Sequence, residues 1–289
     1  MIQQIPLFSI EPIRQDTPLG QIEIFNENCL ETMQRLGKST ANIILTSPPY
    51  NTNKKAGKNR TLNNTNVKDG QYDYVRYDGY VDNLTNKEYC DKTVCLFNAF
   101  DDFLTPNGCI LYNLSYGSEN TEGMFLAVSD ILQRTNFTLA DTIVWKKRNA
   151  FPNSCSPNKL TRITEFVFVF CRKNELGSFA CNKKIVSTRK TGQKMYENVF
   201  NYIEAPNNDG SCSLNKATFS SDLVRQLLEI YATKDMTVYD PFMGTGTTAV
   251  ACKRYGCKCI GSEISEKQVA YAKERVKKVN ANGQNEGHG

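Results

Sequence analysis

Short apolar runs rich in β-branched and aromatic residues alternate along this chain with amphipathic helical patterns, and that alternation narrows the fold more than any other feature. Seven runs read as strands: "QIEIFN" from 21, "NIILTS" from 42, "CILYNL" from 109, "DTIVWK" from 141, "EFVFVF" from 165, "TVYDPF" from 237 and "CKCIGSE" from 257. Several carry no polar face, as strands buried on both sides do. Helical patterns occupy 87–104, 122–135, 220–232 and 266–279. The pattern predicts an α/β domain with a mainly parallel sheet, and 289 residues suffice for a sizeable core.

Two polar stretches interrupt the alternation. Residues 51–86 are rich in Asn, Lys, Gly, Asp and Tyr, and residues 173–215 hold a basic cluster and the turn-rich "EAPNNDGSCSLN". Connections this long and polar are usually functional or mobile. The last ten residues, "NANGQNEGHG", are predicted to fray.

In "VYDPFMGTGTTAVACKRYG", from 238, a buried strand ends in Asp240, a tight turn carries Gly244 and Gly246, and a helix begins near Thr247. Glycines let a ligand approach the backbone, and amides at a helix start attract carboxylate or phosphate. Glu263 ends the next strand 23 residues further on, where an acid meets ribose hydroxyls in nucleotide-binding βαβ units. No Gly-Lys-Ser/Thr follows, which excludes a P-loop, and GTGTTA lacks the third glycine of a dinucleotide fingerprint. A nucleoside with a small zwitterion fits better. S-Adenosylmethionine has that shape, with Glu263 on the ribose and with Asp240 and the turn amides on the methionine end.

The run "NIIL" ends in "TSPPY" at 46–50. Proline stops strands and fixes φ, so by itself this is a strand meeting a rigid turn. In an open α/β sheet, however, ligands lie at the carboxyl ends of strands. Both "NIIL" and "TVYD" deliver their turns at such ends, so the two can face one site.

The net charge of +5 is modest, but the cations cluster, and clustering builds the local potential that a polyanion senses. One group is Lys54, Lys55, Lys58 and Arg60; a second is Lys146, Lys147 and Arg148 beside Trp145; a third is Lys183, Lys184, Arg189, Lys190 and Lys194. Each alone reads as a solvated loop; together they favour nucleic acid. The eleven cysteines are odd in number and scattered, which suits reduced thiols of a cytosolic or nuclear protein, and a cytoplasmic location with DNA is expected. Without paired CxxC spacing, and with His288 the only histidine, no metal site is expected. Neither a membrane span nor a signal peptide is legible.

Taken together, "TSPPY" and "DPFMGTGTT" at 240–248 resemble the catalytic and cofactor motifs of the S-adenosylmethionine-dependent DNA amino-methyltransferases. Their order resembles the β permutation of that family, and "NKATFSSDLVRQLL" at 215–228 is similar to its cofactor-flanking helix. The resemblance runs from about 21 to 279. It implies a seven-stranded, mostly parallel, Rossmann-like methyltransferase sheet with one reversed strand, helices on both faces and a small target-recognition insertion. The chain then divides into a catalytic part (1–172), the insertion (173–215), a cofactor-binding part (216–279) and a tail (280–289). It further implies contacts to S-adenosylmethionine from Asn28, Cys29, Asp240, Pro241, Phe242, Gly244, Gly246, Thr247 and Glu263. Where the family usually has Asp in a GDCLE-like stretch, this chain has Asn28 in "ENCLE"; Asn still hydrogen-bonds an adenine edge.

The implied catalytic residues are Ser47, Pro48, Pro49 and Tyr50. The amino lone pair of a base is delocalised into its ring. Acceptance of its two N–H bonds by the Ser47 hydroxyl and the Pro48 carbonyl favours a pyramidal nitrogen, and proline presents that carbonyl with little rearrangement. Tyr50 is expected to stack on a base flipped from the duplex, with Asn51 and the following loop closing over it. Methylation of ring carbon needs a Pro-Cys nucleophile, and none of the ten prolines precedes cysteine. SPPY resembles mainly cytosine-N4 enzymes, whereas DPPY and NPPY resemble mainly adenine-N6 enzymes. Cytosine is therefore the expected target and adenine the alternative. Expected partners are double-stranded DNA and a cognate restriction endonuclease, with the chain a monomer or homodimer.

Overall fold

The computed structural model describes residues 19–51, 84–117, 120–150, 157, 160–210, 214 and 218–279. All seven expected strands form: β1 (Ile22–Phe25), β2 (Ala41–Thr46), β3 (Leu104–Leu114), β4 (Phe137–Lys147), β5 (Thr164–Arg172), β9 (Thr237–Asp240) and β10 (Lys258–Ser262). Between β5 and β9 lie β6 (Ile185–Thr188), β7 (Lys194–Tyr196) and β8 (Tyr202–Ala205). The helices are α1 (Cys29–Leu36), α2 (Asn86–Phe103), α3 (Gly123–Arg134), α4 (Ser221–Tyr231), α5 (Thr247–Tyr255) and α6 (Glu266–Lys277).

The main sheet has the order β1-β10-β9-β2-β3-β5-β4-β8. β5 runs antiparallel to both neighbours, the one reversed strand. The sheet holds eight strands rather than seven, because the segment 173–215 lends β8 to its edge, where Val144 pairs with Tyr202. That segment also packs on α4: Asn182 Nδ2 donates to Ala232 O at 2.7 Å, and Phe179 lies against Tyr231. It is part of the sheet domain, with the β6–β7 hairpin as its projecting piece.

Period-two alternation sorts each central strand onto both faces. In β3 and β5, Cys109, Leu111, Val167 and Val169 join the aliphatic side chains of α4, α5 and α6. Ile110, Tyr112, Phe168 and Phe170 meet α1, α2 and α3 on the other face. There Phe97 of α2 stands edge-on to Tyr112, Phe137 and Phe170 at 5.1–5.7 Å. Full burial of each such ring contributes about 1.5–3 kcal/mol. α1, with only eight residues, is held by a capping box in which Asn28 and Glu31 satisfy each other's backbone. Among the described residues, no helix is long and apolar enough to cross a membrane.

Candidate active site

β2 and β9 are neighbours at the centre of the sheet, and their chains leave in opposite directions, β2 toward β3 and β9 toward β10. Such a switch point opens a crevice at the carboxyl ends of the strands. The two motif-bearing turns meet there.

Asp240 joins them. Its Oδ1 accepts from the Thr46 hydroxyl at 2.7 Å and from Phe242 N at 3.0 Å, and its Oδ2 accepts from the Thr248 hydroxyl at 2.6 Å. The residue is 1% exposed, and burial pushes its carboxyl from 3.8 up to about 6 against the pull of these donors. Asp240 was expected to meet a ligand ammonium; in the structure its carboxylate holds the β2 turn, the β9 turn and α5 together.

The glycines also divide their labour. Gly246, at φ +85°, ends the turn, and a Cβ there would come within 2.7 Å of Ala272 Cβ, so glycine is needed for α5 to seat against α6. Gly244, at φ +53°, lies on the crevice wall and donates its N–H to Glu263 Oε2 at 2.8 Å. Phe242 N and Met243 N are likewise taken, by Asp240 and by Ser262 O. The amides of residues 242–244 thus organise the turn itself.

The crevice encloses about 870 Å³, its open mouth included. Asn28, Cys29, Pro241, Phe242, Gly244, Thr247 and Glu263, all expected at the cofactor, line it with Ser47 and Pro49. Thr218 and Phe219, just before α4, close one side, and Glu27 is an acid on the wall that its sequence context does not single out. Glu263 is fixed at both oxygens by Gly244 N and Ser265 N (2.8 and 2.9 Å). Asn28 Oδ1 caps α1 through Leu30 N at 2.9 Å. Burial pushes the Cys29 thiol up to about 11, which keeps it protonated. Arg35 holds the Glu27 carboxyl below its usual range.

At the "TSPPY" end the side chains converge on a polar cluster. Ser47 Oγ lies 2.7 Å from Tyr50 Oη, which donates to Glu165 Oε2 at 3.1 Å. Asn113 shares its Nδ2 among Tyr50 Oη (2.5 Å), Glu165 Oε2 (3.0 Å) and Ser47 Oγ (3.3 Å). Lys147 pairs with Glu165 and lies 5.0 Å from the Trp145 ring. Pro48 and Pro49 are buried, and Pro49 O accepts from Tyr89 Oη at 3.3 Å. Asn113 and Glu165 were not anticipated. Their signal was a polar residue inside the apolar "CILYNL" and an acid opening "EFVFVF".

Asn51 was expected over a bound base. It is 1% exposed at φ +51°, and its amide both donates to Leu84 O (2.9 Å) and accepts from Leu84 N (2.8 Å). It therefore ties together the two ends of a long connection rather than facing a ligand.

The second basic cluster is paired internally. Lys146 meets Glu204, Lys147 meets Glu165, and Arg148 meets Asp222 at 3.0 Å. Trp145 is 1% exposed and belongs to the core. Each of these cations, expected at phosphates, is matched by a carboxylate of the protein itself. Lys183, Lys184, Arg189, Lys190 and Lys194 are exposed on or beside the β6–β7 hairpin. Lys54, Lys55, Lys58 and Arg60 lie outside the described residues.

The family model N6_N4_Mtase, described as DNA methylase, matches residues 41–274. The type II methyltransferase M.Cfr9I of Citrobacter freundii is 22% identical over 309 aligned positions, covering 95% of this chain and 94% of that protein. The cytosine-N4-specific PvuII DNA methyltransferase superposes with a TM-score of 0.64 at 16% identity, over 89% of this chain and 87% of that one. M1.HpyAVI in its complex with SAM gives a TM-score of 0.53 at 22% identity, over 88% of this chain and all of that one. At these identities the structural likeness speaks to the fold.

Proposed function

Because the chain belongs to the DNA methylase family of N6 and N4 amino-methyltransferases, we propose that it is a site-specific DNA methyltransferase acting on the N4 amino group of a flipped cytosine. The observation that carries this reading is the shared crevice, with Ser47 and Pro49 on one wall and the 241–247 turn with Glu263 on the other.

The methyl donor is S-adenosylmethionine. The crevice suits it in chemistry. Glu263, pinned by two backbone amides, keeps lone pairs for ribose hydroxyls. Phe242, Ile264 and Pro241 give apolar surface for a purine, with the Asn28 amide at its edge. When bound, the donor supplies an electrophilic methyl group on a sulfonium. A SAM-bound relative of the same fold supports this assignment.

The protein's own work is orientation. Ser47 Oγ and the Pro48 carbonyl accept the two amino N–H bonds and aim the nitrogen lone pair at the crevice. The half-buried Tyr50 ring stacks on the extruded base, offsetting part of an unstacking cost of about a few kcal/mol. Ser47, in place of the Asp or Asn of DPPY and NPPY motifs, favours cytosine. Lys183, Lys184, Arg189, Lys190 and Lys194 track the phosphates of the duplex. The type II relative supports a place in a restriction–modification system beside an endonuclease of the same specificity.

Incubation with radiolabelled donor and mixed-sequence DNA tests the reading. Label is expected in DNA; donor binding without transfer would overturn it in favour of a non-catalytic binding protein.

A further inference from the structure

Ser47 can hold an amino group only as an acceptor, yet a serine hydroxyl donates as readily as it accepts. The cluster behind it resolves that ambiguity. Ionised Glu165 accepts only, so Tyr50 must give it its single proton across 3.1 Å. The Tyr50 oxygen then takes the Ser47 proton across 2.7 Å. Asn113 sits against the same chain, its two Nδ2 protons shared among Ser47 Oγ, Tyr50 Oη and Glu165 Oε2, all three as acceptors. The NH₂ end must face the carboxylate, which leaves Asn113 Oδ1 buried without a partner among the described residues. An orphaned buried carbonyl costs about 1–3 kcal/mol, a penalty tolerated where a cluster serves more than stability.

Resting on the methyltransferase reading, we infer that Glu165 is the positioning residue that sets the polarity of this hydroxyl chain and receives the proton shed in the reaction. As the N–C bond forms and the S–C bond breaks, positive charge passes from sulfur to the amino nitrogen. The surplus proton moves from nitrogen to Ser47 Oγ while the Ser47 proton moves to Tyr50 and the Tyr50 proton to Glu165 Oε2. Ser47 and Tyr50 end neutral as they began, and Glu165 ends as a carboxylic acid. Its side chain is 12% exposed, so the proton has a way to water. Among the described residues, the ionisable groups it contacts are Tyr50, from the β2 turn, and Lys147, from β4, whose ammonium pairs with the carboxylate and fixes its place; β3 contributes the neutral Asn113.

The test compares wild type, Glu165→Gln, Glu165→Asp and Tyr50→Phe in single-turnover methylation of DNA at saturating donor. Thermal melting and donor affinity serve as checks on folding. Glu165→Gln is expected to lose about 100-fold in rate, in the range of a general acid–base contribution, with donor affinity unchanged. Glu165→Asp, which keeps a carboxylate, should restore part of the rate. Tyr50→Phe cuts the same chain without touching the Lys147 pair and is expected to lose rate in the same way. A Glu165→Gln rate within about threefold of wild type, or no gain in rate of Glu165→Asp over Glu165→Gln, would overturn the inference while leaving the methyltransferase reading intact. Wild type that labels no DNA would overturn both.

Discussion

The Thr46 hydroxyl donates to Asp240 Oδ1 across 2.7 Å, from the end of one central strand to the end of its neighbour. Through it the turn bearing Ser47 and the turn bearing Gly244 are set as one unit. Thr46 is fully buried and Asp240 nearly so, and water cannot replace either partner.

Thr46→Val keeps the shape and removes the donor. One oxygen of a buried carboxylate then loses a hydrogen bond, so stability should fall by about 1–3 kcal/mol, measured by urea unfolding. The two turns should also lose register, with a methylation rate lowered more than donor affinity.

Asp240 gives a pH signature whose sign is fixed. Its native carboxyl titrates at about 6 against 3.8 ordinarily. The folded state therefore holds an extra proton between those values, and this stabilisation is full below about pH 4 and lost as pH rises through 6. The window is worth about 3 kcal/mol. Wild type should gain stability relative to Asp240→Asn as pH drops from 7 to 4.5, in paired denaturant titrations; a constant difference would show that Asp240 is not held this way.

Gly246→Ala places a methyl 2.7 Å from Ala272 Cβ at a φ of +85°. Both strain and contact push α5 away from α6, so a loss above about 1 kcal/mol is expected. Because Thr245 and Thr247 line the crevice beside it, calorimetry should show donor affinity falling as well.

How much of this was legible in the sequence follows from how local each determinant is. The strands announced themselves because β-branched and aromatic runs such as "EFVFVF" are local signals. α1 did not, since eight residues held by the Asn28–Glu31 capping box give little periodicity. β8 was hidden in a polar segment because its pairing with β4 is a long-range choice. The crevice-lining residues of both motifs were readable from strand ends and turn chemistry. The pairing of the charges at 146–148 is not legible locally because the partners are distant: Glu204 lies 58 positions from Lys146 and Asp222 lies 74 from Arg148. Asn113 and Glu165 escape notice for the same reason, since a polar residue in a strand declares its role only when its neighbours are known.

That pairing separates two sets of cations in a binding assay. Arg189→Gln with Lys190→Gln, on the exposed hairpin turn, should reduce the slope of log affinity for DNA against log salt by about 2, near 0.9 for each phosphate no longer neutralised. Lys146→Gln, whose cation is matched by Glu204, should leave the slope unchanged.

The proposed chemistry turns on an amino group of cytosine being held by Ser47, and the most direct measurement is the identity of the product. Duplex DNA methylated by the wild-type protein is digested to nucleosides, and the modified nucleoside is identified by mass spectrometry against standards. N4-methyldeoxycytidine is the expected result; N6-methyldeoxyadenosine in its place would contradict the assignment of the base to Ser47.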